Sequence, residues 1–102
     1  MGQEVTLRLP RSIEKQLLDG TMTCFSRPTV VGDTGDYFDA CGHRFVITRV
    51  ARMRMDDAKY RLWEKHGYTA WSQWDIQWDA DHPKNQYKPD KYVWVHFFKM
   101  VK

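Results

Sequence analysis

The stretch IEKQLLDGTMTCFSR, Ile13 to Arg27, decides the fold. Ile13 and Leu17 lie one helical turn apart, Leu18 widens the apolar stripe, and Ser12 stands where a side-chain oxygen caps a first turn. Gly20 follows, at the place where a helix ends in left-handed backbone that glycine adopts without steric cost. Thr21 to Arg27 then reads as a strand of threonine, cysteine and phenylalanine that Pro28 stops. Helix, glycine and strand together deliver a guanidinium and several small side chains to one mouth of a small barrel.

Working outward from that stretch, Val5, Leu7 and Leu9 alternate with Glu4, Thr6 and Arg8, the period of a half-buried strand, which Pro10 ends. On the other side, Gly32-Asp33 and Gly35-Asp36 are turn signals, Tyr37 to Ala40 a short strand, and Cys41-Gly42-His43 a tight hairpin turn. Arg44 to Met55 is long for one strand. Val46, Thr48 and Val50 share a face there, and the alternation slips near Ala51, so a bulge is expected at that point.

Asp56 caps a helix that runs to about Lys65, with Tyr60 and Trp63 inward and Gly67 as its stop. Thr69 caps the next, in which Trp71, Trp74 and Trp78 follow i, i+3, i+7 spacing. His82 to Pro89 is a polar loop. The closing strand, Lys91 to Met100, carries Val93, Val95 and Phe97 on one face and Tyr92, Trp94 and Phe98 on the other. A strand apolar on both faces is covered on both, so the tryptophan helix is expected across the sheet. The order of elements predicts an α+β architecture: a small curved antiparallel sheet with flanking helices, one domain over residues 1–102.

Bulk properties narrow the function classes. Hydrophobic residues make up 42% and aromatics 15%, enough for a core. No apolar run approaches the ~20 residues of a membrane span, and MGQEVTLRLP lacks the layout of a signal peptide, so a cytoplasmic protein is expected. The formal charge of +3 permits nucleic acid without demanding it. Cys24 and Cys41 lack metal-ligand spacing and are read as reduced, partly buried thiols; no metal or cofactor is expected.

Several segments in order resemble the ASCH domain, a small member of the PUA-like superfamily of RNA-associated β-barrels. The family strand G-x-K-x-x-T-x-R is matched by Gly20-Thr-Met-Thr-Cys-Phe-Ser-Arg27, its Gly-Asp pair by Gly35-Asp36 or, less well, Gly32-Asp33, and its RFxIxxV strand by Arg44-Phe45-Val-Ile47-Thr-Arg-Val50. His66-Gly67-Tyr68, then Trp74 and Trp78, and the closing Val93-Trp-Val-His-Phe97 follow in the family's order. The resemblance implies a PUA-like barrel and an RNA or nucleotide-like ligand. Some family members resemble amidohydrolases acting on N4-acetylcytidine through the motif lysine, the motif threonine and a glutamate before Gly-aromatic. Here those positions are Met22, Phe25 and His66. A thioether and a phenyl ring move no protons, so this activity is not expected.

Two functions follow as expectations. The first is a domain that binds RNA or a nucleotide in a cleft beside Arg27, with Thr23, Phe25 and His66 at the site and Arg52 and Arg54 on the phosphates. The competing readings are an Arg27 pair with Asp36 and a merely solvated strand face. The second is a divergent hydrolase on RNA or a modified cytidine, N4-acetylcytidine amidohydrolase-like or ribonuclease-like, using Thr23, Cys24 or His66. On the sequence alone His66 has no visible orienting group and Cys24 nothing to lower its pKa. A third role, as a protein-interaction adaptor, would use exposed tryptophans as anchors, and Trp71 at the helix start is left open between core and surface.

Overall fold

The closing strand is the axis of the fold. In the computed structural model, which describes residues 2–7, 9 and 11–101 without the side chain of Arg11, β4 (Tyr92–Met100) lies between β1 (Cys24–Arg27) and β3 (His43–Arg54). With β2 (Tyr37–Ala40) the sheet order is β1-β4-β3-β2, antiparallel throughout and curled into a half-barrel. Both faces of β4 are covered, as its alternation requires. Phe98 packs with Phe25, Phe38, Phe45, Leu17 and Ile13 on one face, while Val93 and Val95 pack with Cys24, Met55, Ala58, Trp74 and Trp78 on the other.

The first helix covers the Phe98 face, and the two later helices cover the face of Val93 and Val95. α1 (Glu14–Asp19) ends at Gly20, whose φ of 85° is the left-handed stop. A 3-10 turn over Arg11–Ile13 precedes it, so Ser12 sits in that turn and caps nothing, and Leu18 faces solvent. α2 (Met55–Leu62) buries Met55 and Ala58 and leaves Tyr60 exposed, the reverse of the expected inward tyrosine. Lys59 is buried beside them and pairs with Asp75 at 3.0 Å. A 3-10 turn, Glu64–His66, follows and ends at Gly67 with φ 89°. α3 (Ser72–Asp81) buries Trp74 and Trp78 and leaves Trp71 half-exposed at 50%. Its start is held by the Gln73 side chain, which accepts from the Thr69 amide and hydroxyl, in place of a threonine cap.

Three further expectations change. The bulge lies between Ile47 and Arg49, earlier than Ala51, because the register against β4 slips there. Val50, Arg52 and Arg54 thereby move to the face of Phe45 and Ile47, away from Val46 and Thr48. The stretch 4–9 forms no strand among its described residues. Glu4 makes one parallel bridge to Tyr37, and the apolar side chains of Val5, Leu7 and Leu9 pack on the core without further ladder bonds. Arg8 and Pro10, the latter expected to end that strand, lie outside the described residues. Cys24 is buried as a free thiol, whereas Cys41 is an exposed one. Cys41 and Gly42 both take positive φ, 54° and 77°, the twist that a two-residue hairpin turn needs.

Candidate functional site

β1 is an edge strand, and side chains from both of its faces reach one cavity. Cys24 and Ser26 point to the helix side, Phe25 and Arg27 to the barrel side. The Thr23 amide donates to the Lys65 carbonyl at 2.8 Å, which fastens the 3-10 turn beneath β1 and brings His66 to Ser26. Gly67 lets the chain turn sharply there. A Cβ on it would stand 3.4 Å from both Ile13 and Met22 on top of an unfavourable φ.

The cavity holds about 60 Å³, several times the ~10–15 Å³ that one water requires. Met22, Phe25, Trp74 and Trp78 give it apolar walls, and Ser26, Arg27, His66 and Tyr68 supply polar groups. A broader hollow of about 510 Å³ shares Leu9, Arg27, Asp81 and His82 with it, so Arg27 stands at the junction of the two.

The hydrogen bonds of His66 fix its tautomer. Nδ1 lies 2.7 Å from the Leu62 carbonyl, which only accepts, so Nδ1 carries the proton. Nε2 is therefore the acceptor, and the Ser26 hydroxyl donates to it at 2.7 Å. Burial lowers the His66 pKa to about 4, with the Arg27 charge adding to the fall and the Leu62 bond opposing it. The ring is neutral at pH 7. Burial likewise pushes Tyr68 up to about 12, with Asp81 adding and Arg27 opposing. Burial lowers Arg27, while Asp81 and Tyr68 hold its charge. Its Nη1 donates to the Ser26 carbonyl at 2.8 Å, and the guanidinium lies 5.0 Å from the Phe25 ring centroid.

Of the residues expected at the site, Arg27, Phe25 and His66 line this cavity together with Met22. Thr23 does not line it; its backbone is bonded to Lys65 and Phe98. Cys24 lies against the His66 ring, its sulfur 3.5 Å from Nδ1, and burial raises its pKa, so it stays a thiol. Asp36, the partner considered for Arg27, spends its carboxylate on the Gln3 and Asp33 amides. Arg52 and Arg54 are exposed on β3. Arg54 pairs with Asp56 at 3.0 Å, and Arg52 lies 4.2 Å over the Tyr92 ring. By register Arg27 and Arg52 both stand opposite Trp94, one row across three strands.

Sequence reasoning missed Ser26, Tyr68, Asp81 and His82. Ser26 carried a usable signal, since alternation puts it on the face of Cys24 beside the motif arginine. Tyr68 carried one too, standing in the quoted His66-Gly67-Tyr68 motif, while Asp81 and His82 enter through long-range packing.

No family model matches the chain, and a comparison with curated protein sequences finds no match. Among solved structures it is similar to the crystal structure of an Enterococcus faecalis V583 protein described under family-model DUF984. The TM-score is 0.66 at 13% identity, over 99% of this chain and 76% of that one. It is also similar to the ASCH domain from Lactobacillus crispatus JV V101, with TM-score 0.65 at 11% identity, over 97% of this chain and 79% of that one. The chain has an ASCH-like fold, as the sequence resemblance implied. No helix among the described residues is long and apolar enough to cross a membrane.

Proposed function

We propose that this domain binds RNA or a nucleotide-like ligand in the cleft beside Arg27. The observation that carries this reading is the desolvated Arg27 guanidinium at the junction of the deep cavity and the broad hollow. A planar cation of this kind suits a phosphate or a base carbonyl. The deep cavity is too small for a whole nucleotide, so it takes one edge or substituent of a base, with Tyr68 and His82 as flanking rings. Phosphates and neighbouring bases run across the hollow and along the row Trp94, Arg52 and Tyr92.

The test is a titration of short single-stranded RNA and of nucleoside monophosphates across a range of salt. Measurable affinity at low salt that weakens as salt rises is expected. Arg27→Met is expected to cost about 1.5–3 kcal/mol, roughly 10- to 150-fold in Kd. Arg52→Gln is expected to flatten the salt slope by about one charge while leaving ligand preference alone. No affinity for any of these ligands at low salt would contradict the proposal.

A second reading, a divergent hydrolase of the same fold on RNA or a modified cytidine, draws support from the hydroxyl–imidazole contact on the cavity wall.

A further inference from the structure

We infer that Ser26 and His66 form a nucleophile–base dyad that takes a short acyl group from an activated ester or thioester bound in the deep cavity. The inference rests on the cavity admitting a ligand, and it adds a chemical step that binding alone does not need.

Three observations carry it. Ser26 Oγ lies 2.7 Å from Nε2, the distance at which an imidazole removes a hydroxyl proton during attack. The opposite nitrogen, Nδ1, is tied 2.7 Å from the Leu62 carbonyl, so a backbone oxygen does the orienting that a carboxylate performs in the familiar triads. Both side chains line the same cavity as Arg27, whose guanidinium is bonded to the Ser26 carbonyl and supplies the positive charge of that cavity. A buried serine needs only a polar partner for its hydroxyl. Here the partner is a ring locked in the accepting tautomer, at a cavity.

In the forward step Oγ attacks the acyl carbonyl carbon. The Oγ–C bond forms as the Oγ proton passes to Nε2, and the tetrahedral oxyanion sits beside Arg27. Collapse breaks the bond to the leaving oxygen or sulfur, which takes the proton from Nε2; where it departs as the anion instead, Nε2 passes that proton to solvent, so the ring is neutral again before water attacks. Water then attacks the acyl-serine, giving a proton to Nε2, and Oγ recovers it as the carboxylic acid leaves. A neutral, deeply buried imidazole beside an arginine is a weak base, which restricts the substrate to esters with good leaving groups. The volume of about 60 Å³ restricts the acyl chain to a few carbons.

The experiment incubates the intact protein with p-nitrophenyl acetate and with p-nitrophenyl octanoate, and maps acylated residues by peptide mass spectrometry. Acetylation of Ser26 in the wild type is expected, with octanoyl transfer at least about 10-fold slower. Ser26→Ala should lose this label only, with surface-lysine background unchanged. His66→Asn keeps a donor for the Leu62 carbonyl and removes the Nε2 acceptor. It should slow acetylation by about 100-fold or more at unchanged circular dichroism. A wild type whose Ser26 carries no label and which releases no more p-nitrophenolate than Ser26→Ala, or a His66→Asn rate equal to wild type, would overturn the dyad. Ser26 with neither label nor p-nitrophenolate release in a protein that binds RNA overturns the dyad alone, whereas absent RNA binding with Ser26 still reactive overturns the binding proposal alone.

Discussion

Trp74→Ala lowers the stability of this domain by about 3–5 kcal/mol, a large share of the ~5–15 kcal/mol a small domain possesses. Trp74 is 2% exposed and fixes several elements at once. Its ring stacks on Trp78 with centroids 5.4 Å apart, meets Tyr87 edge-on at 6.0 Å, and meets His66 edge-on at 5.9 Å. Beneath it lie Val93 and Val95 of the central strand. Truncation leaves a void that α3 cannot close without leaving β4, so the cavity cost adds to the lost burial. Trp71→Ala serves as the internal control, since that ring is 50% exposed and rests on Tyr60 at 5.4 Å. Its loss should cost no more than about 1 kcal/mol. Urea unfolding followed by circular dichroism measures both. Equal losses would mean that the tryptophan stripe is not the core of this face.

Stability rises by about 3 kcal/mol between pH 4 and pH 6.5 on account of His66 alone. The sign follows from which state holds the proton. In the unfolded chain the ring titrates at 6.5, while in the fold burial chiefly, and Arg27 in addition, hold it at about 4. Between those values the unfolded state binds more protons, so the folded state gains as pH rises, and the gain is complete above 6.5. Among the groups around the ring, Arg27 disfavours the imidazolium, Cys24 stays a neutral thiol, and Tyr68 stays protonated throughout this window. His96 is also lowered, by burial first, and adds in the same direction. Urea midpoints taken across pH 4 to 7 measure the slope. His66→Asn should flatten most of it, and an equally steep curve in that variant would show that another group carries the dependence.

Much of the fold was legible because local rules and burial agree. Gly20 and Gly67 stop their helical segments, Cys41-Gly42 turns the hairpin, and β4, apolar on both faces, is covered on both. Trp74 and Trp78 are core as their spacing predicts. What failed depends on partners distant in sequence. The bulge near Thr48 is set by register against β4, which the alternation of β3 does not encode. Glu4 to Leu9 has the alternation of a strand, yet its described residues obtain only one bridge, from Glu4 to Tyr37 at the edge of β2. At the candidate site, Arg27, Phe25 and His66, which line one cavity, were named from the motif. Ser26 was not, because its partner lies 40 residues away and only the fold brings them within hydrogen-bond reach. The row joining Arg27, Trp94 and Arg52 is likewise visible only once the strands are in register.

The central claim, that the cleft beside Arg27 is where a ligand sits, is tested most directly by a nitrogen–proton correlation spectrum recorded during a titration with short single-stranded RNA at low salt. The account predicts shifts concentrated on the amides of Ser26, Arg27 and Tyr68, on the Trp78 indole and on His82, extending to Arg52 and Trp94. An unchanged spectrum, or shifts confined to the outer surface around Tyr60 and Trp71, would contradict it.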